Sequence, residues 1–386
     1  MLPGTIFEHD CSTRTKLRCE WRNDCPTTGD LQIALWRLES VGLYEPVKIL
    51  LLQLKRIGDL ILTTPAIAAL RQSFPQAQLT LVVSQESADL LPAISNVDRI
   101  LIARRNLRDL ALFSSVATRR FDYCIDFTRN DRSASLALLS RARRRVVSYR
   151  VREQSKTRGH AYTDFVRVRM RDMHTIDYNL ALLEPLRASH APTAPRLDLP
   201  QIAYEKADAL RHSWKLMRPY IILHPGSARQ EKLWEPGRWA DVIDYFDQNN
   251  GFDFVLTSGP SRDEQTHIAA IKNKAQQRIT DLSGKTDLLT LAALISGARL
   301  LVTVDSAPVH LAGATCTPQV ILFGPTNPFH WRPRESQAVI LQGKSATPVT
   351  EFSPVQPRVP MSQISTEAVI GAMDSLLATH LATEPS

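Results

Sequence analysis

An α/β chain of two doubly wound parallel domains facing each other across a cleft is what this sequence predicts, on three observations. Continuous apolar runs alternate with helix-length segments, as βαβ units require. The alternation halts at the proline-rich stretch "RASHAPTAPRLDLP" and starts afresh beyond it. The polar, glycine-bearing motifs fall on turns that follow strands, the edge where such sheets bind ligands.

Residues 1–45 precede the pattern and read as an extension of unassigned role; "LQIALWRLES" suits a short amphipathic helix, but nothing chemical converges there. At Val47 the character changes. "VKILLLQL" is continuously apolar, as a strand buried on both faces of a parallel sheet must be. A turn and a helix near 60–73 follow, then strand "QLTLVVS", helix "SADLLPAI", strand "VDRILIA" and a helix over 107–119. Strand "FDYCIDFT", helix "SASLALLSR" and strand "RRVVSYR" complete the first domain, assigned to 46–205. After a helix over 202–215 the second domain, 206–362, runs from strand "YIILHPG" through helix, strand and helix again to "QVILFGP". Residues 345–362 read as loop, and 363–386 as a closing helix and tail. A chain of 386 residues is long for one core, which agrees with two domains.

Composition narrows the function classes. No apolar run reaches about 18 residues, so no membrane-spanning helix is expected. The charged N-terminus lacks a signal-peptide centre, which points to a cytoplasmic protein. Cys11, Cys19 and Cys25 match no zinc spacing, and Cys124 and Cys316 read as small core residues, so no metal site is expected. Net charge is +8, and it is concentrated: residues 104–171 hold 18 Lys/Arg against 6 Asp/Glu. Such a surface favours an anionic partner. Nucleic acid is not expected, because few aromatics interleave the arginines.

Four strand-to-helix loops carry the chemistry. In "KRIGDLILTTP", Gly58 permits a tight turn and Asp59 opens a helix, beside Lys55 and Arg56 and one turn before Thr63 and Thr64. A carboxylate there is either a helix cap or, facing the cleft, a general base for an acceptor hydroxyl. In "LHPGSARQEKLW", Gly226 and Ser227 offer backbone amides and Lys232 a positive charge, a combination suited to phosphate. In "LTSGPSRDEQ", Asp263 or Glu264 can accept hydrogen bonds from a ribose. In "VTVDSAPVHLAGA", Asp305 and Ser306 end a strand, Ala307 starts a helix whose amides suit a diphosphate, and His310 lies one turn along.

Taken in order, these segments resemble glycosyltransferase family 9, the ADP-heptose:lipopolysaccharide heptosyltransferases, and most of all the heptosyltransferase III branch. The motifs "LLLQLKRIGDLILTTPAIAAL", "ILHPGS…KLW", "DLSGKTDLLTLAALISGARLLVTVDSAPVHLAG" and "ILFGPTNPFHWRP" carry the likeness, over about residues 47–335. The resemblance implies a GT-B fold of two Rossmann-like domains, with the acceptor held by the first and the nucleotide sugar by the second. It implies Asp59 as catalytic base and Lys232 on the donor phosphates. Gly226, Ser227, Asp305, Ser306, Ala307 and His310 would line the donor site. The ribose contact would fall at Asp263 or Glu264, with Thr286 near adenine. Thr63, Thr64, Lys55 and Arg56 are expected to meet the acceptor. Where many relatives carry a lysine six residues before the catalytic Asp, this chain has Gln53, and its residues 1–45 have no counterpart.

The implied reaction is inverting, metal-independent transfer of L-glycero-D-manno-heptose from ADP to a lipopolysaccharide core sugar. No cofactor is implied. The cationic surface would meet phosphorylated lipid A and inner core, placing the protein at the cytoplasmic face of the inner membrane. Two other readings are a transferase using another nucleotide sugar or a protein hydroxyl acceptor, and a non-catalytic nucleotide-sugar-binding module.

Overall fold

The computed structural model describes residues 46–188, 193–247, 251–277, 279–345 and 347–381. The expected helix at 31–40, the extension and the first three cysteines lie outside them. Within Val47–Ser386 the described chain builds two six-stranded sheets. The first holds β1 (Lys48–Gln53), β2 (Gln78–Ser84), β3 (Arg99–Ala103), β4 (Tyr123–Asp126), β5 (Arg144–Ser148) and β6 (Asp164–Val166). The second holds β7 (Tyr220–His224), β8 (Asp253–Leu256), β9 (Thr280–Asp281), β10 (Leu300–Val304), β11 (Gln319–Phe323) and β12 (Ala338–Gln342).

Strand orders are β3-β2-β1-β4-β5-β6 and β12-β11-β10-β7-β8-β9, all parallel. Read from each sheet's first strand, the two orders are the same. Each has a switch point, between β1 and β4 and between β7 and β10, where successive crossovers leave on opposite faces and open a crevice at the strands' carboxyl ends.

The apolar runs are explained by double-sided burial. Ile49 and Leu51 pack on one face of the first sheet with Leu60, Ile67 and Tyr178; Leu50 and Leu52 pack on the other with Leu112, Val116 and Leu136. The first of these clusters continues into Leu291, Ala292 and Leu311 of the second half. The remaining face of the second sheet buries Trp234 and Trp239, in edge-to-face contact at 5.2 Å between centroids, under the closing helix Thr366–Leu381. That helix therefore completes the second core. A boundary at 205/206 would cut the helix Gln201–Ser213, which packs on Leu288–Ser296.

The proline in the opening helix marks a break. Ile57–Ile61 ends, and a second helix, Thr64–Ser73, starts with Pro65 in its first turn, where a missing N–H costs nothing. The expected helix at 87–94 is a 3₁₀ segment, Gln85–Ala93, with Pro92 inside it. Sequence periodicity misses β6 and β12 and the helices Arg150–Gln154 and Thr175–Ala181, all short. Cys124 is buried as expected; Cys316 is exposed instead, at a turn after the helix Ala307–Ala314 where its backbone is left-handed at φ 57°.

A polar clasp joins the halves beside the switch points. Arg334 grips Asp177 through two bonds of 2.6 Å. Thr175 donates to the His330 carbonyl at 3.0 Å, and His330 Nδ1 lies 2.9 Å from the Met173 carbonyl. His174 Nε2 lies 2.8 Å from the Arg332 carbonyl; burial drives its pKa down to about 3, so the imidazole is neutral and donates.

Candidate functional site

A cavity of about 550 Å³ opens between the carboxyl edges of the two sheets, the size of a small-ligand site. From the first half come Arg56, Ile57, Gly58, Asp59 and Glu86; the loops after β7, β8 and β10 supply most of the rest.

Asp59 sits in the first turn of Ile57–Ile61, 9% exposed, with Lys55 Nζ 3.5 Å from its Oδ1. The turn is fixed from behind. Gln53 Nε2 donates to Thr63 Oγ1 at 2.7 Å, and that hydroxyl donates to the Asp59 carbonyl at 2.7 Å. Asn179 Nδ2 donates to the Leu62 carbonyl at 3.0 Å. Gln53 thus props the Asp59 turn from the interior. Lys55 stands beside the carboxylate and outside the cavity lining; burial lowers its pKa against the opposing pull of Asp59. Arg56 lines the cavity and makes no ion pair among the described residues.

Thr63 and Thr64 require a correction. Thr63 is fully buried in the network just described, and Thr64 donates to the Ile61 carbonyl and accepts from the Arg196 amide. Neither lines the cavity, so neither hydroxyl is placed for an acceptor.

Gly58 is required by close approach. A Cβ there would stand 2.5 Å from Cδ2 of His310, which reaches over from the helix Ala307–Ala314. His310 therefore places the second half's helix mouth directly against the Asp59 turn. Burial holds its pKa below the usual value, with Asp305 and Asp59 opposing, and its Nδ1 has no hydrogen-bond partner among the described residues.

On the second half, Lys232 Nζ donates to Asp305 Oδ2 at 2.5 Å and to its carbonyl at 3.0 Å. Both side chains are nearly buried, at 11% and 7% exposure, so the cation is held rigidly at the cavity wall. Ser306, Ala307 and Pro308 line the cavity at the helix start; the Ala307 amide has no intrahelical acceptor, Pro308 has no N–H, and the Val309 amide donates to the Ser306 carbonyl at 3.2 Å. Of the two acids that the sequence left as alternatives, Glu264 lines the cavity, whereas Asp263 accepts from Gln230 Nε2 outside the lining. The Glu264 carboxylate lies in a glycine cradle, accepting from Ser261 Oγ at 2.7 Å and the Gly259 amide at 3.2 Å. A Cβ on Gly226 or Gly259 would come within 2.5 Å of its oxygens. Thr286 stands just before Leu288–Ser296 and outside the lining, to which Leu288 contributes instead.

Sequence reasoning passed over His224, Glu86, Arg229 and Leu288. His224 Nδ1 lies 2.9 Å from Thr257 Oγ1, and burial takes its pKa down to about 4. Glu86 follows β2 on the same sheet edge as Asp59, and that topology was the available signal. Leu288 gave none. Among the described residues no group of three or more His, Cys, Asp or Glu side chains is arranged to hold a metal, and no helix is long and apolar enough to cross a membrane.

The sequence model for glycosyltransferase family 9 (heptosyltransferase) matches residues 110–356. Lipopolysaccharide heptosyltransferase 3 of Escherichia coli K12 is 28% identical over 330 residues, 83% of this chain and 95% of that protein. The lipopolysaccharide core heptosyltransferase OpsX of Haemophilus influenzae is 25% identical over 86% of this chain and 97% of its own length. Among solved structures, a family 9 glycosyl transferase of Veillonella parvula superposes with a TM-score of 0.74 at 25% identity, covering 86% of this chain and 97% of that one. The E. coli ADP-heptose lps heptosyltransferase II gives 0.71 at 20% identity, covering 87% and 100%.

Proposed function

Since the chain belongs to glycosyltransferase family 9, the heptosyltransferases, and has their GT-B fold, we propose that it transfers L-glycero-D-manno-heptose from ADP-heptose to a lipopolysaccharide core sugar. One observation carries the reading. A single cavity brings Asp59 of the first half together with Lys232, Asp305, His310 and the Glu264 cradle of the second.

In this reading the diphosphate lies against Lys232, the Gly226–Ser227 backbone and the helix mouth at Ser306–Ala307, and Glu264 accepts from the ribose hydroxyls. Asp59 takes the proton from the acceptor hydroxyl. The acceptor oxygen then forms a bond to the anomeric carbon as the bond from that carbon to the β-phosphate oxygen breaks. ADP leaves with the electron pair, its charge met by Lys232 and the amides. One displacement inverts the anomeric centre, and the positive charge comes from side chain and backbone, a metal-independent scheme. Arg56 faces the acceptor side. The acceptor is lipid-borne, so the enzyme works at the cytoplasmic face of the inner membrane, with the cations of 104–171 toward lipid A phosphate.

Asp59→Asn tests the assignment. It preserves size and removes the base, so transfer should fall about 10²–10⁴-fold while ADP-heptose binding, read by calorimetry, persists. Turnover within about tenfold of the parent, ~1.4 kcal/mol of barrier, would sink the base role. Binding without turnover in the unaltered chain would favour a non-catalytic module.

A further inference from the structure

In a parallel sheet all carboxyl ends share one edge, so the loops after β1, β3, β4, β5 and β6 form a single rim. Asp59 stands on that rim after β1. Much of the cationic excess stands there too: Arg104, Arg105 and Arg108 follow β3, Arg150 and Lys156 follow β5, and Arg169 follows β6. None of these six makes an ion pair among the described residues, whereas Arg132 and Arg158 nearby are matched to Asp109 and Asp131. Amid these cations stand two leucines that the core does not use, Leu107 at 84% exposure and Leu110 at 68%.

The turn bearing them is built rather than loose. Arg105 takes the left-handed conformation at φ 59°. Asn106 Oδ1 accepts from the Arg108 amide at 3.0 Å, and the Asp109 amide donates to the Asn106 carbonyl at 2.9 Å. Asp109, 7% exposed, accepts from the Arg104 amide at 2.8 Å and pairs with Arg132. Leucines held outward by a braced turn, between unmatched arginines, have the chemistry of an interfacial anchor: apolar tips for the acyl boundary and cations for anionic headgroups. RNA would use the arginines but has no place for the leucines.

We infer that the β3 turn, with Leu107 and Leu110 inserted between Arg104, Arg105 and Arg108, docks the first sheet's carboxyl rim on an anionic lipid bilayer. This rests on the proposed reaction for its purpose: the docked rim also carries Asp59, so the cleft mouth meets a lipid-linked acceptor at the surface. Flotation of the full chain with phosphatidylcholine vesicles, with and without phosphatidylglycerol, tests it. The parent chain should float only with the anionic vesicles. Leu107→Ser/Leu110→Ser should lose about tenfold or more of the bound fraction. Transfer to a delipidated, water-soluble core acceptor should stay unchanged, which also shows that the variant folds. Arg104→Gln/Arg108→Gln should weaken binding most at low ionic strength. Flotation of the leucine variant equal to the parent's, or parent chain that ignores vesicles and binds RNA, overturns the inference. Vesicle binding lost in the leucine variant, in a chain that transfers to no acceptor, supports the docking face and removes the reaction alone; folding is then read from thermal unfolding.

Discussion

The loop after β1 and the loop after β7 hold the same place in two sheets of identical strand order, yet they are finished to different degrees. After β7, Gly226, Ser227 and Lys232 all face the cavity, and Lys232 is already matched by Asp305. After β1, Asp59 and Arg56 face it, while Gln53 and Thr63 turn inward to hold the backbone. On the second half, paired charges and a glycine cradle form a rigid receptor that exists before any ligand arrives. On the first, six cations of the rim make no ion pair among the described residues. A donor of constant structure suits a preformed site; an acceptor presented on a surface suits an open one, completed on arrival.

The comparison breaks most readily at Lys232. Lys232→Ala removes the cation and strands the Asp305 carboxylate at the proposed diphosphate site. We expect kcat/KM to fall about 10²–10³-fold and stability by about 3–5 kcal/mol, read by steady-state transfer and denaturant unfolding. Lys232→Ala/Asp305→Ala should recover stability without recovering transfer. A single variant as stable as its parent would mean that the pair is not held in solution. A smaller effect is expected at Gly226→Ala, whose Cβ would meet Glu264 Oε1 at 2.5 Å. Displacing that carboxylate should cost about 1–3 kcal/mol in donor binding, seen as a raised KM for ADP-heptose at unchanged acceptor KM. Equal changes in both constants would contradict a division of labour between the halves.

How much of this was legible follows from what each residue's role depends on. The long strands announced themselves because burial on both faces demands unbroken apolar runs, as in Ile49–Leu52. β6, three residues long, and β12, a partly exposed edge strand, carry no such demand and were not read as strands. Asp59, Lys232 and Asp305 could be placed at the cavity from sequence because each follows a strand on the carboxyl edge of its sheet. Glu264 and Asp263 were inseparable in sequence; which faces the cavity depends on the pitch of Arg262–Lys274 and the room left by Gly226 and Gly259. Thr63 lies one turn beyond Asp59, and sequence spacing alone does not tell which way its hydroxyl turns. The break before Pro65 turns its hydroxyl inward, and a three-dimensional partner, Asn179, completes the network.

That correction yields the smallest prediction. Thr63→Val keeps the shape and deletes the hydroxyl, so Gln53 loses its 2.7 Å partner and the Asp59 carbonyl loses a donor. Leaving buried polar groups short of partners should cost about 1–3 kcal/mol of stability. Asp59 would be held less firmly, and kcat should drop by less than about tenfold. Acceptor KM should not move, because the side chain is fully buried and outside the cavity lining. A raised acceptor KM at undiminished stability would return Thr63 to the substrate and show that the first half offers more preformed contact than its geometry indicates.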